Sequence, residues 1–335
     1  MSAALDRLLA AHRFRGTALV RRAGLTLLDR GCGAASGQPR SQPNRPATAF
    51  PIASIGKQLT AAAILVLQAQ DRLSAGDRVR DWIPACPAQW DRMTIHHLLT
   101  HTSGLGHFWG DFPEIDPFAP IGADALIAAI QARPLRFAPG AGWRYSSPGY
   151  TLLAAIAERA ARAPYSAVLR RLVLDPIGMT HTWVGSGGPP AAARAQGHAH
   201  GMPTPSFDLD DFCRGAGDLW STTGDLARWD EAVLRGELLD PAVVLAPHAA
   251  TTWRDPSLTD VRCGYGWFLA EWRGRRFCYH AGDNAGFAGM NAVLPEDGVS
   301  IVLLSDEEGD LVPLALLAAS LACFGPPQDH GSTLH

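Results

Sequence analysis

The apolar positions of this chain change their period twice. From Gly16 to Gly31 the sequence GTALVRRAGLTLLDRG gives two short apolar runs broken at Arg22-Ala23-Gly24, which predicts a β-hairpin behind a first helix at about Ala3–His12. The same pattern returns near the other end. CGYGWFLAEWRGRRFCYHAG (263–282) and GMNAVLPEDGVSIVLLS (289–305) predict four more strands, with turns at Trp272–Arg275 and Pro295–Gly298. A last helix is expected from about Asp310 to Phe324, and the tail 326–335 is expected to be disordered. Between these ends the period is helical, with helices predicted at 93–100, 122–132, 148–162, 164–173 and 223–235. The expectation is a mixed α/β fold of the α+β kind, a single domain over 1–325. Residues 1–70 and 260–325 build one antiparallel sheet, and 71–259 form an inserted helical subdomain. A crevice between the two is the natural ligand site. The Gly/Pro/Ala-rich segment 185–206 is too long for a mere connection, and it is expected to rim that crevice together with 104–121.

Composition narrows the function classes. With 335 residues, 47% of them hydrophobic, the chain can bury a sizeable core. A formal net charge of −3 without any long run of like charge argues against nucleic acid and an anionic membrane surface as principal partners. The six cysteines are scattered, with no C-x-x-C pair, so neither a disulfide framework nor a zinc site is indicated. The N-terminal stretch lacks the apolar core of a signal peptide, and LVPLALLAASLACF is too short to span a bilayer. A cytoplasmic protein is expected.

One residue then changes the picture. Of the 29 basic residues, 28 are arginine and the only lysine is Lys57. It lies in FPIASIGKQLTAAAILVLQ (50–68), whose part from Ser54 on is apolar almost all round and so predicts a buried helix. A buried ammonium is costly unless paired or deprotonated, and arginine stays charged in its place. Ser54 precedes Lys57 by three residues, one helical turn, on the same face. A titratable amine beside a hydroxyl suits a nucleophilic serine whose base is not histidine. The plainer alternative is that Ser54 is an N-cap and Lys57 snorkels to water.

Two further segments decide between these readings. In FAPGAGWRYSSPGY (137–150), Tyr145 and Ser147 alternate toward one side, although Ser147 also reads as an N-cap ahead of Pro148. In CYHAGDNAGFAG (278–289), His280 ends a strand and Gly282 permits close backbone approach. Together Ser54-Ile55-Gly56-Lys57, Tyr145-Ser146-Ser147 and His280-Ala281-Gly282 resemble the three motifs of the serine β-lactamase and penicillin-binding-protein superfamily. The likeness is greatest to class C β-lactamases, DD-peptidases and family VIII esterases. LLTHTSGL (98–105) and GAGDLWSTTGDLARW (215–229) fit as well. The resemblance covers about 10–320 and implies a β-lactamase-like fold.

It also implies roles. Ser54 would be acylated, and Lys57 and Tyr145 would share the general-base task, the lysine either lowering the tyrosine's proton affinity or acting directly. The backbone N–H groups of Ser54 and Asp283 would form the oxyanion hole. Ser147, His280 and Gly282 would contact substrate. Two departures matter. Ser147 stands where β-lactamases usually have asparagine, which favours the esterase and peptidase side. Asp283 puts a carboxylate by the oxyanion hole; turned inward it would favour a substrate carrying an amine, and turned outward it would be a surface residue. His280 stands where many relatives carry lysine. His97 and His101, spaced i, i+4, are candidate metal ligands without the Glu of an H-E-x-x-H motif, so no metal or other cofactor is expected. His198 and His200, with Asp208, Asp210 and Asp211, read as a solvated loop. Trp109, Trp143 and Trp220 are candidates to line an acyl pocket. The expected activity is hydrolysis of a small ester, amide or peptide through an acyl-enzyme on Ser54. Acyl transfer or peptide cyclisation by the same intermediate is the alternative, and a non-catalytic acyl-binding sensor the reading of another class.

Overall fold

The structure, a computed structural model, describes residues 1–33, 43–185, 187–207, 209 and 212–326. Asp208, Asp210, Asp211 and the expected tail beyond residue 326 lie outside these. The strands predicted at both chain ends meet in one sheet. Strands β1 (Gly16–Arg22), β2 (Leu25–Cys32), β3 (Ala249–Ala250), β4 (Thr259–Cys263), β5 (Phe268–Trp272), β6 (Arg275–Asn284), β7 (Phe287–Leu294) and β8 (Val299–Ser305) lie in the order β2-β1-β8-β7-β6-β5-β4-β3, every pair antiparallel. The β1–β2 and β5–β6 hairpins turn at Ala23-Gly24 and Arg273-Gly274, all four residues at positive φ (47, 81, 50 and 71°), the geometry tight two-residue turns require.

Both faces of this sheet are covered, which explains why its central strands read as continuous apolar runs. Ala18, Val20, Ile301 and Leu303 pack under helices α1 (Ser2–Ala11) and α5 (Val312–Phe324), while Leu19, Val302 and Leu304 face the helical core. That core is centred on α2 (Gly56–Ala69) and α3 (Ser147–Ala161). Every residue of α2 from Gly56 to Leu67 is buried, as its all-round apolar sequence requires. α4 (Thr223–Arg235), expected within the helical insertion, lies against β1 and β8 of the sheet. The helix expected at 164–173 splits into an α segment, Tyr165–Leu169, and a π turn, Arg170–Leu174. A small sheet of Phe50–Pro51, Leu219–Ser221 and Trp183–Val184 was not foreseen. Two short strands, His198–Ala199 and Met202–Pro203, lie in the segment expected as loop. No helix among the described residues is long and apolar enough to cross a membrane.

Candidate active site

Ser54 stands on a turn held from two sides. The chain enters from Phe50–Pro51, which pairs with Leu219–Ser221, passes Ala53 at φ 48° and makes a short 3-10 turn, Ala53–Ile55, before α2 begins. A left-handed backbone on an alanine is strained, and the surroundings enforce it. A Cβ on Gly282 of β6 would lie 2.3 Å from the Ile52 carbonyl oxygen, and one on Gly217 would lie 2.9 Å from the Ala53 carbonyl carbon. Gly282 therefore supplies the close approach anticipated for it. The capping alternative for Ser54 fails, because neither the 3-10 turn nor α2 has a side-chain cap. A chain arriving through a left-handed residue does not present Ser54 in the capping position.

The Ser54 hydroxyl instead meets the lysine. Lys57 Nζ lies 2.9 Å from Ser54 Oγ, 3.2 Å from Ser147 Oγ and 2.6 Å from the Ala216 carbonyl oxygen. Lys57 is fully buried, and burial pulls its pKa from 10.5 to about 7, against the smaller opposing pull of Cys213 and Asp218. The snorkelling alternative therefore fails too. An uncharged amine has two N–H donors and one lone pair. The Ala216 carbonyl must accept, Ser147 Oγ accepts the second N–H, and the lone pair is left for the Ser54 O–H to donate into. Protonated, the same nitrogen would donate to all three oxygens.

Ser147 is free for this because it does not cap α3; that task falls one residue earlier. The Ser146 hydroxyl accepts from the Gly149 N–H at 3.2 Å, leaving Ser147 at the first helical position. Tyr145 lies alongside, its ring centre 5.1 Å from Lys57 Nζ and its hydroxyl hydrogen-bonded to Ser54. Burial raises the phenol above its usual value, with Ser54 opposing. At rest the phenol is therefore held in its protonated form.

Three histidines surround this ring: His101 at 4.5 Å, His107 at 5.3 Å and His280 at 6.1 Å between ring centres. All three are driven toward the neutral form, chiefly by burial and then by Lys57; His107 falls to about 4 and His280 to about 3. His101 Nδ1 accepts the Ser146 N–H and His107 Nδ1 the Ser147 N–H, so both position the Tyr145–Ser147 segment. His97 Nδ1 accepts the Thr94 N–H within a capping box. The i, i+4 pair therefore serves two separate backbone segments, and the described residues contain no cluster of three metal-ligating side chains.

β6 forms the opposite wall. It runs on past His280 to Asn284, but β5 pairs only with Arg275–Tyr279, so among the described residues the edge from His280 to Asn284 has no strand partner on that side. Asn284↔Phe287 closes a two-residue turn and is a hydrogen-bonded pair; the neighbouring Asp283↔Ala288 pair is then non-bonded, and the Asp283 N–H is directed at the open edge. The Asp283 side chain is solvent-exposed yet lines the mouth of the cavity, so neither of its two anticipated orientations holds cleanly.

Ser54, Tyr145, Ser147, His280 and Asp283 share one cavity of about 620 Å³. Segment 104–121 contributes His107, Phe108 and Trp109, and Phe207 and Phe212 complete an aromatic wall. Trp109 lines this space, whereas Trp143 packs against His101 and Phe268, and Trp220 against Phe287 outside it. Sequence reasoning missed His107, the Ala216 carbonyl, Asp255 and Asp310. No local pattern distinguishes them, since each reaches the cavity only through the tertiary fold.

Among known families, the one described as Beta-lactamase matches residues 1–323. The chain is similar to Penicillin-binding protein 4* of Bacillus subtilis (strain 168), 28% identical over 339 residues that take in 95% of this chain and 74% of that protein. It is similar to Esterase EstB of Burkholderia gladioli at 35% identity over 196 residues, 53% of this chain and 49% of the esterase, so the match spans about half of that relative's length. Its fold is similar to the crystal structure of the penicillin-binding protein from Bacillus halodurans, with a TM-score of 0.82 and 24% identity over 95% of this chain and 98% of that one.

Proposed function

Since the chain belongs to the beta-lactamase family, we propose that it is a serine hydrolase that cleaves an ester or amide bond of a small molecule through an acyl-enzyme on Ser54. The observation that carries the reading is the fully buried amine of Lys57, held near pKa 7 and 2.9 Å from Ser54 Oγ. Ser54 Oγ attacks the substrate carbonyl carbon while its proton passes to the Lys57 lone pair. The oxygen that gains the electron pair is held by the N–H groups of Ser54 and Asp283. On collapse the leaving alcohol or amine departs with a proton from Lys57 or the Tyr145 hydroxyl, and water repeats the sequence to release the acid. A cavity of about 620 Å³ with an aromatic wall suits a small substrate.

The test is covalent. Treated with a fluorophosphonate, the protein should gain one adduct, and peptide mass spectrometry should locate it on Ser54. Turnover of 4-nitrophenyl butyrate should begin with a burst and vanish in Ser54→Ala. An adduct on another residue, or equal turnover by the variant, refutes the assignment.

A further inference from the structure

His107 combines two properties that the proposed reaction leaves unused: its neighbours pin it in place, and one ring nitrogen stays open to the cavity. The backbone N–H of His107 donates to Asp111 Oδ2 at 2.8 Å, and the Asp111 carboxylate is gripped by Arg136 and Arg144. The preceding carbonyl, of Gly106, accepts the Ser146 hydroxyl at 2.8 Å. The ring packs edge-on against Tyr145, its centre 5.3 Å away, and Nδ1 takes the Ser147 N–H at 3.3 Å. These bonds tie 106–111 to 144–147 and leave the imidazole little freedom to turn.

The same bonds fix its tautomer. Nδ1 accepts, so it bears the lone pair, and in the neutral ring the hydrogen sits on Nε2. Burial first, then Lys57 and Arg144, lower the imidazole to about 4, with Asp111 opposing, so the ring is neutral at working pH. His107 lines the cavity and is only partly buried. Its Nε2 has no hydrogen-bond partner among the described residues, yet it is not enclosed, so it keeps surface from which to meet a ligand. A histidine at a cavity wall is commonly just solvated; this one stands beside the nucleophile. Ser147, whose N–H holds the ring, places its own hydroxyl 3.2 Å from Lys57 Nζ, which lies 2.9 Å from Ser54 Oγ. The described lining carries neither an arginine nor a lysine, so a neutral donor is what this wall offers an oxygen of a ligand. The Asp283 N–H, assigned above to the developing oxyanion, belongs to β6 on the opposite wall. The two donors therefore suit two different oxygens of one molecule.

We propose that His107 determines specificity: its Nε2–H donates to a second carbonyl oxygen of the substrate, set a few atoms from the bond that reacts. A fixed donor suits the part of the substrate that stays through both steps, so this carbonyl belongs to the acyl group and not to the part that leaves. The proposal rests on the hydrolase reading for the bond that reacts and goes beyond it in the group recognised.

Two pairs of 4-nitrophenyl esters test it: 4-oxopentanoate against 4-methylpentanoate, and 5-oxohexanoate against 5-methylhexanoate. Within a pair the shape is the same, and a C=O replaces a CH–CH3. With each kcat/KM divided by that ester's own rate with hydroxide, the keto ester should exceed its partner by about fivefold or more in at least one pair. His107→Gln carries an N–H to a similar reach and should keep the preference. His107→Phe keeps a ring without a donor and should bring the ratio to about one. Equal rates within both pairs in the wild type overturn the proposal and leave the hydrolase standing; so does a loss in His107→Phe shared equally by keto and methyl esters, which marks a structural part alone. No turnover of any ester and no adduct on Ser54 overturns the hydrolase reading instead. NMR of protein labelled with nitrogen-15 histidine then still decides the donor question. The His107 signals, identified by their absence from His107→Gln, should show the hydrogen on Nε2. In Ser54→Ala they should shift with the methyl ester of a keto acid and not with that of its methyl-branched partner. A hydrogen on Nδ1, or equal shifts with both, refutes the assignment.

Discussion

Lys57 is the only lysine in the chain, so protein grown on lysine labelled with carbon-13 at Cε has a single side-chain resonance to follow. The perturbation is pH. Burial lowers the amine from 10.5 to about 7, a differential of about 5 kcal/mol against the ammonium. The folded value lies below the unfolded one, so between these limits the unfolded chain binds more protons. The burial penalty is thus fully present below pH 7 and is gone above 10.5, and Lys57 makes stability rise with pH across that window. The resonance should titrate with a midpoint near 7. The rate of Ser54 acylation should climb about tenfold per pH unit below the same midpoint and level off above it. Lys57→Arg keeps its proton throughout and should lose at least about a thousandfold at every pH. A midpoint above 9, or an acylation rate flat from pH 5 to 9, would show that the buried amine is not the base.

Gly282→Ala puts a Cβ 2.3 Å from the Ile52 carbonyl oxygen; it should cost about 1–3 kcal/mol in denaturant titrations and, by displacing the Ser54 turn, about a hundredfold in kcat. Wild-type kinetics in that variant would mean the contact relaxes without disturbing the serine. Asp230 is buried between Ser300 and Asn291, and burial raises its carboxyl to about 7. Here the folded state binds the extra proton, so stability present below about pH 4 is lost as pH rises through 7, by about 4 kcal/mol. Asp230→Asn should remove that slope, and urea midpoints that fall in parallel for both proteins between pH 5 and 8 would count against it. Ser147→Ala removes one of the three Lys57 partners and should lower kcat by about tenfold with the Ser54 adduct still forming; loss of the adduct would give Ser147 a larger part.

The elements most legible in the sequence are those whose signal is local. Ala23-Gly24 and Arg273-Gly274 announce their hairpins through a glycine, which takes positive φ freely, set between two apolar runs, and α2 announces its burial by being apolar all round. The Ser54–Lys57 pair was legible for the same reason, since both lie within one helical turn. The capping alternative weighed for Ser147 fell one residue out, because Ser146 and Ser147 are chemically identical and only the path of the chain decides which of them caps α3. The two-residue strands at Phe50–Pro51 and Trp183–Val184 are too short to show a period. Asp255, Asp310 and the Ala216 carbonyl belong to the cavity through contacts that no nearby residue encodes.

A single electrostatic arrangement connects these observations. Burial drives Lys57, Tyr145, His107 and His280 toward their uncharged forms, so the floor of the cavity holds little charge before reaction. Proton transfer from Ser54 would create an ammonium there together with an oxyanion. The three oxygens around Lys57 Nζ serve both states: two accept from the free amine while the Ser54 hydroxyl donates to its lone pair, and all three can accept from the ammonium. Burial sets the balance between the two by disfavouring the ammonium, which keeps the amine free to take a proton near pH 7. The cost of placing an amine there is offset by the apolar burial of α2 that holds it.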